Sequence, residues 1–239
     1  MDWTERTGLL LGADGLEKLR DASVIVVGCG GVGAFAAEML VRAGIGHLTL
    51  LDNDTISDSN RNRQLPAMTS TVGRKKCDVL ASRMKDINPD LAVDVISDYL
   101  TEDNIRELMP VELDFVVDAI DTLSPKIALI QYCISNKIRL VSSMGSGAKL
   151  DATKVRIADI SETNMCPLAH MLRKRLHKLG IRSGFLAVYS EEPPRRESMV
   201  LEESRNKKSQ SGTVSYMPAV FGCVCAQAVI TRIAGVENL

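Results

Sequence analysis

The chain has 239 residues, 45% of them hydrophobic and 25% charged, with a formal net charge of -1. That is the composition of a globular α/β core. It excludes a low-complexity chain, and it excludes any global pull toward nucleic acid or an anionic membrane, so polyanion binding must come from a local patch. Six cysteines occur without a CxxC pair, which argues against a disulfide framework and a tetrahedral zinc site.

The opening MDWTERTGLL lacks a long apolar run and does not read as a signal peptide. The segment Met217 to Ile230 reads as too short to cross a bilayer, so a cytoplasmic chain is expected. Residues 13 to 20 predict a short amphipathic helix. Ser23 to Val27 is a β-branched apolar run ending in glycines, hence a buried strand. Gly31 to Ala43 predicts a helix with Val32, Phe35, Ala36, Met39 and Leu40 on one face. His47 to Leu51 is a second strand, and Asn53 to Ser70 is polar and irregular. Helix is predicted from Val72 to Asn88, strand from Ala92 to Ile96 and from Phe115 into Asp118, helix from Lys126 to Asn136, and strand from Ile138 to Ser142. This alternation predicts an α/β fold: a doubly wound, mostly parallel Rossmann-like sheet with helices on both faces.

Beyond about residue 155 the pattern changes. Val155 to Ile160 and Phe185 to Tyr189 read as strands, Pro167 to Leu179 as a basic helix, Glu191 to Gln210 as a long mobile loop, and Ala219 to Ile233 as a closing apolar helix. Residues 1–154 are therefore read as the nucleotide-binding region. Residues 155–239 are read as an elaboration of the same domain for substrate binding and dimerisation.

The first chemical signal is Gly28-Cys29-Gly30-Gly31-Val32-Gly33, between a predicted strand and helix. Such glycines let backbone approach a phosphate at a helix N-terminus. Asp52 ends the next strand, placed for a ribose hydroxyl. These features fit NAD as well as ATP. A triphosphate needs extra cations, and Arg63 and Lys76 follow closely; the bland alternative makes both solvated surface charges. Asp118 and Asp121 sit at the carboxyl end of the fourth strand, where ligands of open α/β sheets bind. Asp121 is the expected Mg²⁺ ligand; Asp118 reads equally as a loop-start hydrogen-bonding group.

The set GCGGVGA, LLDNDTISDSNRNRQ, TVGRKK, INP and VDAIDT resembles the adenylation domain of ubiquitin-activating-like enzymes over roughly residues 5 to 150. The resemblance implies ATP and Mg²⁺ as cofactors. It places Asp52 on ribose, Asn60, Arg63, Gln64 and Lys76 on the triphosphate, and Asp121 on magnesium. It also implies a homodimer in which Arg6 reaches a triphosphate across the interface.

Within that superfamily, AIDTLSPKIALIQYC, VSSMGSGAKLDATKVRIADISET, PLAHMLRKRLHKLGI, VYSEEPP and GTVSYMPAVFG resemble the tRNA threonylcarbamoyladenosine dehydratases over essentially the whole chain. That family uses ATP to activate a threonyl carboxylate and close a ring. The alternative is activation of the C-terminal glycine of a ubiquitin-like sulfur carrier, with a sulfur-transfer protein partner; those relatives usually carry two CxxC pairs, absent here.

The dehydratase resemblance implies tRNA as partner and makes Arg173, Lys174, Arg175, Lys178 and Arg182 the expected docking cations, followed by Arg195, Arg196, Arg205, Lys207 and Lys208. Without the resemblance, these charges read as a solvated face. Some dehydratases carry a cysteine before the last helix, where this chain has Ser209-Gln210-Ser211-Gly212. Cys166 is then the one candidate for an exposed, reactive thiol, although burial is the commoner fate of a small cysteine, and Cys133, Cys223 and Cys225 on apolar helices read as core.

Overall fold

The structure is a computed structural model that describes residues 3–201 and 209–236. Its centre is a seven-stranded sheet ordered β3-β2-β1-β4-β5-β7-β6, with ranges β1 Ser23–Val27, β2 His47–Leu51, β3 Ala92–Ile96, β4 Phe115–Asp118, β5 Arg139–Ser143, β6 Val155–Asp159 and β7 Leu186–Ser190. All neighbours pair in parallel except the antiparallel edge β7–β6. The β1 and β4 strands are buried runs, as a sheet covered on both faces requires.

The helices are α1 Glu5–Asp21, α2 Gly33–Ala43, α3 Lys76–Ile87, α4 Ile105–Leu108, α5 Leu123–Ser135, α6 Pro167–Lys178 and α7 Tyr216–Ala234. One face of the sheet packs against α2, α3 and α7 through Leu40, Leu80, Met84, Met217, Phe221, Cys225 and Val229. The other packs against α4, α5 and α6 through Ile105, Leu129, Ile130, Cys133, Ala169, Leu172 and Leu176. On the first face α7 lies tightly against α2. A Cβ at Gly222 would stand 2.8 Å from Phe35 Cβ and 3.0 Å from the Ala36 nitrogen, so only hydrogen fits between the helices.

Several elements differ from the sequence expectation. Helix α1 begins at Glu5 rather than residue 13, because a kink at Gly12 (φ 77°) joins two helical pieces and the first leaves Leu9 and Leu10 83% exposed. An exposed apolar pair gives no periodic signal. Gly73, at φ 87°, holds off α3 until Lys76. The short α4 was not expected.

Within the predicted loop, a turn at Arg196–Ser198 leads into a hairpin, β8 Met199–Leu201 with β9 Ser209–Ser211. Arg205, Lys207 and Lys208, with Glu202 and Glu203, lie outside the described residues. Helix α7 is 19 residues long, more than the sequence suggested, and among the described residues it is the one helix of membrane-crossing length and apolarity. It packs into the core, where its inward face is buried.

Candidate active site

The strand order reverses between β1 and β4. The loops that follow them meet at the carboxyl edge of the sheet, where a crevice must open. Register places Val27 beside Leu51 on one side and Asp118 on the other. The backbone then enters Gly28 at φ 92°, and a Cβ there would come within 2.8 Å of the Ala119 carbonyl. At Gly33 a Cβ would overlap the Gly28 carbonyl oxygen. The loop therefore turns tightly onto the first turn of α2, and its glycines leave a bare backbone surface. The start of α7 closes the far side: a Cβ at Gly31 would lie 3.0 Å from Pro218 Cβ.

Asp52 is half-buried beside this loop. One carboxylate oxygen accepts from the Cys29 N–H (2.7 Å) and the other from the Asp54 N–H (2.8 Å), so the carboxylate is fixed at the loop edge. Asn60 ends a capped turn by accepting from the Ser57 N–H. Arg63 donates to the Ser59 carbonyl (3.0 Å) and to Asn62 Oδ1 (2.8 Å). Its own carbonyl lies 3.4 Å from where a Gly31 Cβ would stand. Gln64 faces Gly30, with Nε2 3.6 Å from a Cβ built there, and its buried Oε1 has no hydrogen-bond partner.

A buried acceptor without a donor costs free energy unless a ligand meets it. A cradle without side chains fits a phosphate, and the orphaned amide oxygen fits a hydroxyl or amino donor of the same nucleotide, leaving the Gln64 Nε2 to donate to phosphate. Lys76 is only 4% exposed and donates to Asp54 Oδ2 at 2.6 Å, which removes the solvated-charge reading for it. Asp54 was not anticipated as its partner.

The two acids after β4 separate cleanly. Asp118 is fully buried in an ion pair with Lys126 (2.9 Å), both at 0% exposure, and accepts from the Ser142 hydroxyl at 2.6 Å and the Ile120 N–H at 3.1 Å. It is a structural carboxylate. Lys126 also donates to the Ile120 carbonyl at 2.9 Å, pinning the loop that presents Asp121. Asp121 is exposed at the crevice edge. One carboxylate there is the donor set Mg²⁺ takes when phosphates and water complete its shell.

Arg6 does not join this site within its own chain. Thr4, two residues before it, accepts from Arg20 and packs by Gly44, at the C-terminus of α2 and the opposite edge of the sheet. The five-residue β1 puts about 17 Å between those edges.

One thiol is also placed differently from expectation. Cys166 is buried at 5% exposure against the Gly145 loop, whereas Cys223 is exposed on α7. An apolar helix buries only part of its surface: Cys225 faces the core, and Cys223, two residues earlier, lies on another face. Burial nonetheless pushes the Cys223 thiol up, and that of Cys133 up to about 12. Cys29 and Cys77 touch at 3.6 Å, and that contact, reinforced by burial, raises Cys29 well above an ordinary thiol.

On α6, Lys174, Arg175 and Lys178 are exposed, as is Arg182 beyond it. Arg173 is half-buried and donates to the Thr163 carbonyl at 2.8 Å and to its hydroxyl, so it braces the preceding turn.

Next to the phosphate loop lies a cleft of about 540 Å³, lined by Asn62, Lys149, Arg195 and the segment 212–215. Sequence reasoning missed Lys149, Glu192 and Lys126 as site-shaping residues; the first two lie in loops without a periodic signal, and a lysine on a helix reads as solvated until its buried partner is seen.

The model of the ThiF family matches residues 5–239. The chain belongs to the ThiF family. Over 233 residues this ThiF-family chain is 39% identical to the tRNA threonylcarbamoyladenosine dehydratase of Bacillus subtilis (strain 168), a match covering 94% of this chain and 92% of that protein. It also superposes on the crystal structure of the E. coli tRNA N6-threonylcarbamoyladenosine dehydratase in complex with ATP, at a TM-score of 0.89 and 36% identity, covering 97% and 93% of the two chains. Its similarity to the Escherichia coli (strain K12) molybdopterin-synthase adenylyltransferase, 38% over 129 residues, covers 54% of this chain and 51% of that protein.

Proposed function

We propose that the protein is an ATP-dependent tRNA threonylcarbamoyladenosine dehydratase. It adenylates the threonyl carboxylate of the modified adenosine and closes the ring with net loss of water. The observation that carries this is near full-length likeness to dehydratases, joined to a cradle built for a nucleotide. The partial match to the molybdopterin-synthase enzyme stops at about half the chain, which weighs against a sulfur-carrier substrate.

In the first step a carboxylate oxygen attacks the α-phosphorus of ATP. The new O–P bond forms as the bond to the bridging oxygen breaks, and pyrophosphate leaves with the electron pair. In the second step an atom of the carbamoyl group attacks the activated carbonyl carbon, AMP leaves with the electron pair, and a proton passes to solvent. The residues chiefly position and neutralise charge. The Gly28–Gly33 backbone cradles phosphate at the N-terminus of α2, Asp52 accepts from ribose, and Asn60, Gln64, Arg63 and Lys76 meet the triphosphate, with Asp54 ceding Lys76 to it. Magnesium, when bound at Asp121, supplies further positive charge to the phosphates. No enzyme thiol is required.

The test is incubation with ATP, magnesium and tRNA carrying the linear modification. Mass spectrometry should show loss of one water from that nucleoside, with release of AMP and pyrophosphate. Turnover of a sulfur carrier with an unchanged nucleoside would reverse the choice.

A homodimer completes the reading. Helix α5 spends its apolar side against α6 and the sheet, and so offers little to an interface. The exposed Trp3, Leu9 and Leu10 beside Arg6 are the better surface. Mixing inactive Arg6→Ala and Asp121→Ala subunits should restore part of the activity; no recovery after confirmed subunit exchange removes Arg6 from the partner's site. The exposed cations of α6, with Arg182, serve as the tRNA-docking patch.

A further inference from the structure

The cleft beside the phosphate loop holds a cation that the nucleotide reading leaves unused. Lys149 lines it and is only 3% exposed, yet among the described residues it makes no hydrogen bond or ion pair. A largely buried lysine whose ammonium opens on a cleft and has no acceptor there favours an anionic ligand. Burial accordingly lowers its pKa, although the nearby Cys166 and Glu192 favour the charge.

The backbone around Lys149 is held from both sides. The Ala148 N–H donates to the Gly212 carbonyl (2.8 Å), and the Ala148 carbonyl accepts from the Arg195 N–H (2.9 Å). On the other side, Leu150 and Asp151 donate their N–H groups to the buried Glu192 carboxylate (2.9 and 2.7 Å), and the Tyr216 hydroxyl donates to the Leu150 carbonyl (2.7 Å). These bonds fix the backbone of a residue whose own side chain makes no hydrogen bond, the arrangement of a preorganised binding group. Asn62 joins the cleft to the phosphate loop: it lies between Asn60 and Arg63 and donates to the Thr213 carbonyl at 3.0 Å. Arg195 stands exposed at the rim.

We propose that this cleft is the acceptor subsite and that Lys149 binds the substrate carboxylate, presenting its oxygen to the α-phosphorus of ATP. This rests on the dehydratase reading above, and it names the residue that recognises the reacting group. Arg195 helps from the rim by drawing in the anionic substituent. Lys149 makes and breaks no covalent bond; it remains an ammonium while the O–P bond forms and pyrophosphate departs.

Lys149→Met keeps most of the side-chain length and removes the charge. The variant is compared with wild type in ATP affinity by calorimetry, in affinity for tRNA with and without the linear modification, and in single-turnover AMP formation. ATP affinity and binding of unmodified tRNA should stay within about twofold. The extra affinity conferred by the modification should vanish, and AMP formation should slow by roughly 10- to 100-fold, the size of a lost charge-assisted contact. Lys149→Arg should recover part of both.

Wild-type AMP formation by folded Lys149→Met overturns the assignment. So does a loss of ATP affinity as large as the loss of rate, which would place Lys149 on the nucleotide. If a thermal melt shows Lys149→Met to be destabilised, the comparison with Lys149→Arg is made at a temperature where both are folded; equal rates there also overturn it. Wild type failing to dehydrate the modified nucleoside while still binding ATP would instead sink the dehydratase reading.

Discussion

Replacing Asp118 by alanine tests whether the carboxyl end of β4 is as dry as the structure makes it. The substitution leaves the Lys126 ammonium at 0% exposure with only the Ile120 carbonyl, and it takes the acceptor from the Ser142 hydroxyl. Breaking a buried pair by removing one partner costs about 3–5 kcal/mol, because an uncompensated charge remains. A chain of this size loses about 2–4 °C in Tm per kcal/mol, so the melting temperature should fall by about 6–20 °C. Removing both charges with apolar residues of similar volume, Asp118→Leu with Lys126→Met, should recover most of that loss, since the desolvation cost of the pair disappears with it. Circular dichroism melts of the wild type, Asp118→Leu, Lys126→Met and the double variant close the cycle, with Asp118→Ala measured beside them. A drop under about 3 °C for Asp118→Ala, or a double variant no more stable than the single, would refute the claim that the pair is buried and mutually dependent.

Three further outcomes follow from the geometry. Gly33→Ala forces a methyl onto the Gly28 carbonyl, so ATP affinity by calorimetry should fall by more than about 1.4 kcal/mol, or tenfold, while an unchanged affinity would mean the loop does not cradle phosphate. Burial alone would raise the buried Glu38, but hydrogen bonds from Arg83 (2.6 Å) and Arg42 (2.9 Å) and their charges outweigh it and hold it below an ordinary carboxylate. Its contribution is therefore present above the unfolded pKa of about 4.3 and is lost as pH falls through the lower folded value. Urea unfolding should show Glu38→Gln less stable than wild type at pH 7 and the gap narrowing at pH 3; a gap independent of pH would contradict this. Changing Lys174, Arg175 and Lys178 together to glutamine should leave ATP binding intact and flatten the slope of log tRNA affinity against log salt by about 2–3, at roughly 0.7–0.9 per lost phosphate contact. An unaltered slope would remove α6 as the docking surface.

The sheet was legible because its strands are β-branched runs bounded by glycine and polar residues, and strands buried on both faces leave that signal. That the glycine loop, Asp52 and Asp121 meet at one sheet edge was legible because they follow β1, β2 and β4, whereas Gln64 was picked out only by the family resemblance. The parts missed share one cause: their meaning comes from residues distant in sequence. Asp54 pairs with Lys76, Glu192 reaches Leu150 and Asp151, and Arg173 turns from solvent to Thr163. Lys149 has no periodic neighbour and gains significance only when the segment 212–215 and Arg195 close around it. The first half of α1 escaped because Leu9 and Leu10 point outward, where amphipathic counting sees no face.

The packing of α7 on α2 has a consequence for the timing of synthesis. Gly222 and Pro218 touch the helix and loop that receive the phosphates, yet they are translated roughly 180 residues later, about 10–40 s at ~5–20 residues per second. Until α7 emerges from the ribosome, α2 lacks the helix that packs on Phe35 and Ala36, and the glycine loop lacks the wall beside Gly31. On the proposed reading, an unfinished chain lacks one wall of the ATP cradle, so the nucleotide site is completed only with the last helix.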